Sequence, residues 1–255
     1  MTPRPRKPGE FCWINMITPA SQESRDFFAA LLGWSYSEIP GMGHTISVGG
    51  SPIGGLFDLN SPMTPPGTMV GIGVMLKVES ADATAERVKA LGGTAKPAFD
   101  IGPQGRMAEC YDPVGANFDL WQPGNSPGSE VDTTLHGAPS WFETMTTDAP
   151  RATAFYTELF GWTPNVMQTG PVSYTSFTLG DTQVAGMLPI TPDMGPIPSH
   201  WGVYFTVTDT DATAALAAER GGKVFIPPRD IPNVGRFCGL ISPQGVRFYA
   251  IRYGM

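Results

Sequence analysis

Apolar positions along the chain change period repeatedly, and each change marks an element. Cys12 to Thr18 is a β-rich run, and Ser21 to Leu32 places Phe27, Phe28, Leu31 and Leu32 on one side of a helix that Gly33 stops. Short strands are expected around His44 to Val48 and Ile53 to Leu59. A second cycle starts at Val70 to Glu79, passes through a helix near Ala81 to Leu91 ended by Gly92-Gly93, and closes with strands near Arg106 to Tyr111 and Asn117 to Gln122. The pattern predicts two β-α-β-β-β units in this stretch.

The whole pattern then recurs. Trp13-Ile14-Asn15-Met16-Ile17-Thr18 matches Trp141-Phe142-Glu143-Thr144-Met145-Thr146, and Leu31-Leu32-Gly33-Trp34 matches Leu159-Phe160-Gly161-Trp162, both at an offset of 128 (141 − 13 and 162 − 34). Asp82-Ala83-Thr84-Ala85 matches Asp211-Ala212-Thr213-Ala214, and Gly105-Arg106, Pro113, Gly115 and Phe118 match Gly235-Arg236, Pro243, Gly245 and Phe248, where the offset has drifted to 130 (248 − 118). The expected organisation is an arm at 1–9, one domain at 10–123, a Gly/Pro/Ser-bearing linker at 124–136 and a second domain at 137–255. The fold class is α+β, with two units in each of two tandem domains.

Composition narrows the function. A formal charge of −7 and no basic cluster beyond Arg4, Arg6 and Lys7 argue against a nucleic-acid partner. No stretch is apolar and long enough to span a bilayer, and the arm lacks the apolar core of a secretory signal, so a cytoplasmic location and no membrane partner are expected. Cys12, Cys110 and Cys238 form no C-x-x-C pair and read as small buried hydrophobes.

The motifs Trp141-Phe142-Glu143, Phe155-Tyr156 through Leu159-Phe160-Gly161-Trp162, His200-Trp201 with Tyr204-Phe205, and Asp230-Ile231-Pro232 through Gly235-Arg236-Phe237 resemble two-domain actinobacterial members of the glyoxalase/bleomycin-resistance/extradiol-dioxygenase (vicinal oxygen chelate) superfamily. The resemblance covers nearly all of the chain outside the arm and linker. It implies that each domain curls its two units into a mixed sheet forming an open cup. It further implies that metal-dependent members hold a divalent ion with His, Glu or Gln on the first and last strand of each unit. In the first domain those positions offer Asn15, only Asp58 within Ile53 to Leu59, Gly73 and Asp119; in the second, Glu143, Gly202 and Tyr249. A divalent metal therefore faces an incomplete ligand set, and no residue is assigned as a metal ligand.

Candidate site residues follow from the strand positions that this resemblance implies, together with alternation along those strands. Trp141, Glu143 and Met145 share one strand face, where a carboxylate in an apolar cup would have a raised pKa suited to a general base; pairing with Arg236 or Arg247 is the structural alternative. His200 lies on the same face as Gly202, displaced by about 6 to 7 Å, and is the second catalytic candidate. His44 and His136 are weaker candidates. Trp13, Asn15, Asp119, Trp141, Tyr204 and Tyr249 are candidate substrate contacts, while Trp34 and Trp162 read as duplicated core. Whether a cup is built within one domain or by exchange between the two is open.

Three functions compete. One is a glyoxalase-like enzyme of isomerase, lyase or oxygenase type with Glu143 as base or metal ligand. Another is a metal-free protein that sequesters a small molecule, as bleomycin-resistance members do. The third is a scaffold whose cups are closed by side chains. The expected partner is a small molecule, with a monomer feasible and a homodimer open.

Overall fold

The computed structural model describes residues 4–169 and 172–254. The first half is built from β1 (Phe11–Thr18), α1 (Ser21–Leu32), β2 (Ser35–Ile39), β3 (Gly43–Val48), β4 (Ser51–Asp58), β5 (Gly71–Lys77), α2 (Ala81–Ala90), β6 (Thr94–Ala95), β7 (Phe99–Asp100), β8 (Gly105–Tyr111) and β9 (Asn117–Pro123). The second half comprises β10 (Pro139–Thr146), α3 (Ala149–Phe160), β11 (Thr163–Thr169), β12 (Val172–Leu179), β13 (Thr182–Pro189), β14 (His200–Thr206), α4 (Thr210–Glu219), β15 (Lys223–Ile231), β16 (Gly235–Ile241) and β17 (Arg247–Tyr253). Helix ends follow the sequence signals: Gly33 and Gly161 take positive φ of 66° and 70°, and their N–H groups donate to Ala29 and Thr157 carbonyls. Strand β2 lay outside the expected elements because it is an exposed, polar edge strand without apolar alternation.

The sheet orders are β2-β3-β4-β1-β5-β9-β8-β6, with β7 pairing with β8, and β11-β12-β13-β10-β14-β17-β16-β15. In each, the first strand of one unit lies antiparallel to the first strand of the next, as in Asn15↔Gly73 and Glu143↔Gly202. Both units of one half thus share a sheet, which answers the question of exchange: each cup is formed within a half.

Alternation then sorts side chains between two faces. One face of both sheets feeds a single core containing Ile14, Val74, Phe118 and Leu120 from the first half and Val203, Phe205, Phe248 and Ala250 from the second. The helices cross over in this packing. Phe28 of α1 lies 5.0 Å from Phe248 of β17, and Phe155 of α3 lies 6.0 Å from Phe118 of β9, ring centroid to centroid. Phe11 stacks on Phe142 at 4.1 Å. The indole N–H groups of Trp34 and Trp162 donate to the Gly137 and Gly9 carbonyls, so both repeated tryptophans are core residues that tie one half to the other half's entry segment.

The segments outside the sheets are anchored too. In the arm, Arg4 pairs with the buried carboxylate of Glu10 at 2.6 Å. In the linker, Val131 is buried and Ser129 N–H donates to the Cys12 carbonyl. The three cysteines are free and buried, and burial pushes each thiol up to about 12, which leaves them inert at neutral pH. Among the described residues, no helix is long and apolar enough to cross a membrane.

One buried polar chain crosses the core. Tyr156 donates its hydroxyl to Asp112 and accepts from the Trp201 indole, both at 3.0 Å, while Asp112 also accepts from Val114 and Ala116 N–H. Tyr156→Phe leaves a buried indole N–H without its acceptor. Unfolding in urea should show a loss of about 1–3 kcal/mol with an unchanged denaturant slope; wild-type stability would mean that water replaces the hydroxyl.

Candidate functional site

The concave faces point away from the shared core and carry the residues that alternate with it. In the second cup, β10 presents Trp141 and Glu143, β14 presents Gly202 and Tyr204, β13 presents Gly186, and β17 presents Tyr249. Tyr204 donates to Glu143 Oε1 at 2.9 Å, and Tyr174 of β12 also hydrogen-bonds to that carboxyl while accepting from the Trp141 indole at 3.1 Å. Burial pushes the Glu143 carboxyl above the ordinary carboxylate range, against the pull of its two tyrosine donors.

This cup is filled by its own rings. Tyr249 stacks on Tyr204 with centroids 4.4 Å apart, and Phe225 and Phe237 complete the cluster. A methyl group on Gly186 would collide with the Tyr174 hydroxyl, and one on Gly202 would lie 2.7 Å from the Tyr249 ring. The two glycines are needed so that the rings can lie flat on the sheet.

Several expectations are corrected by this geometry. Neither arginine pairs with Glu143: Arg236 is held by Asp211 and Asp230 at 2.6 and 3.0 Å, and Arg247 lies over the Phe225 ring at 5.2 Å. Arg106 is held in the same way by Asp82 and Asp100 in the first half, so this clasp belongs to the duplicated scaffold. His200 is opposite Met145, two residues along from the Glu143–Gly202 pair as its spacing implied, and its imidazole Nδ1 lies 2.8 Å from the Pro198 carbonyl. It is not brought to the carboxyl. His136 lies outside both cups, between the Leu31 carbonyl and Thr208 N–H.

The first cup uses the same strands with different residues. Trp13 and Asn15 lie on β1, Gly73 and Met75 on β5, and Asp119 on β9, paired opposite Met75. The β4 position facing this floor is Gly55, opposite Asn15; Asp58 sits at the strand end and accepts from Asn60 N–H instead. Phe57 covers Gly55, since a methyl group there would lie 2.5 Å from its ring. Above Gly73 no ring intrudes: the nearest side-chain atom to a methyl group would be Asp119 Oδ2 at 3.9 Å.

Asp119 is 8% exposed, and its carboxyl is pushed up to about 7 by burial and by the neighbouring Glu109 carboxylate, with the Asn15 hydrogen bond and Lys96 pulling the other way. Lys96 Nζ is itself bound to Glu109 at 2.7 Å. Met75, Met107, Trp13, Trp121 and Ile101 form the apolar surroundings. A neutral-range carboxyl beside an amide in an apolar recess can exchange a proton with a bound molecule or hold its polar group.

The four positions implied for a metal are thus Asn15, Gly55, Gly73 and Asp119 in one cup, and Glu143, Gly186, Gly202 and Tyr249 in the other. Two of the four in each cup have no donor atom, and rings lie over three of those glycines. No group of three or more His, Cys, Asp or Glu side chains that could hold a metal is found among the described residues. The donor sets do not fit a divalent ion at these positions.

Tyr174, Glu109, Lys96 and the paired glycines on β4 and β13 were not among the sequence candidates. Their signal is a glycine inside an apolar strand, Gly54-Gly55 and Ala185-Gly186, which marks close approach by another group. Which group approaches depends on the hairpin register.

The family model of the "Glyoxalase/Bleomycin resistance protein/Dioxygenase superfamily" matches residues 139–248. The Mycobacterium tuberculosis protein named "Putative glyoxylase CFP32" is 36% identical over 94% of this chain and 93% of its own length. The anthracycline biosynthesis protein DnrV of Streptomyces peucetius is 33% identical over 96% of this chain and 93% of its own. Among solved structures, the Mn(II)-bound glyoxalase of Novosphingobium aromaticivorans aligns with a TM-score of 0.67 at 15% identity, covering 96% of this chain and 82% of that one. The 2,2′,3-trihydroxybiphenyl 1,2-dioxygenase of Sphingomonas wittichii aligns with a TM-score of 0.68 at 13% identity, covering 98% and 92%. With its duplicated sheets, its concave cups and curated relatives at 36% and 33% identity over nearly its full length, the chain belongs to the glyoxalase/bleomycin resistance protein/dioxygenase superfamily.

Proposed function

We propose that this chain holds a planar, largely apolar small molecule in its first cup and exchanges a proton with it through Asp119, without a metal. The observation that carries the reading is the Asp119 carboxyl, buried over the bare Gly73 floor and pushed up to about 7. A group with a midpoint near neutral pH acts as base or acid there at little cost. Asn15 fixes the carboxyl, and Trp13, Met75, Met107 and Trp121 supply apolar contact. Ionised Asp119 takes a proton from an acidic C–H or O–H of the ligand and returns it at a second position, the balance of an isomerisation. Sequestration uses the same cup without the return step. The likeness to anthracycline biosynthesis proteins supports an aromatic, oxygenated ligand.

Glu143 supports a second reading, because a buried carboxyl with two tyrosine donors is also a raised acid. Its enclosure by Tyr174, Tyr204 and Tyr249 favours a structural part.

The carbon-13 resonance of the Asp119 carboxyl should titrate with a midpoint near 7. The sign follows from linkage: a raised carboxyl pKa gives stability present below the unfolded value of about 4 and lost as pH rises through the folded value. Wild type should therefore lose about 2–4 kcal/mol relative to Asp119→Asn between pH 4 and 8. A midpoint near 4 would remove the basis of the proposal.

Alizarin, a hydroxylated anthraquinone, should quench tryptophan emission saturably. The quenching should weaken at least tenfold in Asp119→Asn and persist in Glu143→Gln. Glu143→Gln should change stability by under about 1 kcal/mol, whereas Glu143→Leu strands two tyrosine hydroxyls and should cost about 2–4 kcal/mol. If Glu143→Gln abolishes the response and Asp119→Asn keeps it, the second cup is the working one. A stoichiometric divalent ion in protein purified without chelator, lost in Asp119→Asn, would overturn the metal-free reading.

A further inference from the structure

A groove of about 780 Å³ runs along the outer flank of α3, on the far side of the second sheet from its cup. Its walls include Thr153, Ala154 and Thr157 of α3, Pro164 and Val166 of β11, and Thr175 of β12. The duplication gives each wall residue a counterpart. Helices α1 and α3 align at an offset of 128, so Thr153 corresponds to Arg25. The pairings Tyr36↔Ile46 and Pro164↔Phe177 make Pro164 the counterpart of Tyr36 and Thr175 the counterpart of His44.

In the first half those three counterparts occupy this space themselves. Tyr36 packs against the core, and its hydroxyl, the His44 Nδ1 and the Arg25 Nε are all buried without a hydrogen-bond partner among the described residues. Tyr36 and His44 lie on the paired strands β2 and β3, and the Arg25 charge on α1 is near enough to act on both. The first half therefore packs a phenol, an imidazole and a guanidinium, three planar groups, between helix and edge strands. The second half has a threonine, a proline and a threonine there, and among the described residues the volume stays open.

The open groove is not simply apolar. Thr157 Oγ1 is buried against its wall with no hydrogen-bond partner among the described residues, and Thr175 is only 5% exposed. A buried hydroxyl without a partner costs free energy that a bound acceptor or donor would return. Val166, 62% exposed, extends the apolar surface at the groove's outer edge.

From these observations we infer that the groove beside α3 is a second ligand site, which takes a small planar aromatic molecule bearing a hydroxyl group. The ring fills the space that Tyr36 and His44 fill in the first half, and its hydroxyl meets Thr157. The site shares no residue with either cup, so it stands or falls independently of the function proposed above.

p-Cresol, a free form of the tyrosine side chain, is the direct probe. Titrated into the full chain and followed by threonine-methyl NMR, it should shift Thr153, Thr157 and Thr175 saturably, with a roughly millimolar dissociation constant for so small a ligand. 4-Methylcyclohexanol, equal in size but not planar, should bind at least fivefold more weakly. Thr157→Val keeps the shape and removes the hydroxyl, so it should weaken p-cresol several-fold and leave toluene unchanged. Refilling the groove with the first half's residues, by Thr153→Arg, Pro164→Tyr and Thr175→His together, should abolish the shifts; if that chain does not fold, Thr175→His alone should weaken binding at least threefold. Unsaturable shifts, equal binding of the two alcohols, or shifts that survive refilling would overturn the assignment. Shifts confined to residues around Trp13 and Asp119 would do the same and would place p-cresol in the first cup.

Discussion

The aromatic side chains that cross between the halves are the constraint on which both cups and the groove depend. Phe28 meets Phe248, Phe155 meets Phe118, and Phe11 meets Phe142, so each half completes its core with rings from the other. Large buried rings contribute most of the apolar area available to a core of this size, and their packing fixes which sheet face is turned inward. Once Ile14, Phe118, Phe205 and Phe248 are inside, alternation obliges Asn15, Asp119, Tyr204 and Tyr249 to face out into the cups. The site positions are thus a consequence of the shared core.

Within that frame the two cups differ by a few substitutions. Position for position, Asn15 stands where Glu143 does, Met75 where Tyr204 does, and Asp119 where Tyr249 does. In the second cup two tyrosine hydroxyls and the carboxyl satisfy one another, and the rings cover the glycine floor. A tyrosine at position 119 would cover Gly73 as Tyr249 covers Gly202. With aspartate there, the floor stays bare and the carboxyl is left with an amide and a more distant lysine. That imbalance, burial without a full complement of donors, raises its pKa.

Much of this was legible in the sequence because the repeat appears in core residues. Trp34, Trp162, Gly33 and Gly161 recur at one offset since the same turn and the same buried indole are needed twice, while Glu143 and Asp119 stand at strand positions that the family resemblance marks, with alternation placing Glu143 on the Trp141 face. What escaped detection depends on pairing across strands. Tyr174 reaches Glu143 only because β12 pairs with β13 in one particular register, and Asp58 was assigned to the floor where Gly55 stands for the same reason. A one-residue slip exchanges the faces of a strand, and no local signal in a run such as Ile53-Gly54-Gly55-Leu56 fixes it. Its neighbours along the chain place His200 on the cup face, whereas its imidazole is fixed by a carbonyl of the preceding turn.

Duplication also accounts for where the asymmetry lies. On the concave side the first half leaves one floor glycine, Gly73, without a ring over it while the second covers both of its own; on the outer flank of the first helix the second half has a groove where the first carries Arg25, Tyr36 and His44. In each case the filling groups are side chains on cup-facing or flanking positions, and none belongs to the ring contacts that join the halves. Such positions can change from large to small without leaving a cavity in the shared core, which would cost several kcal/mol per lost ring. A duplicated scaffold can therefore specialise its two copies in opposite directions at opposite faces. The shared aromatic core separates those faces, so a molecule in the first cup and one beside α3 make no contact with each other.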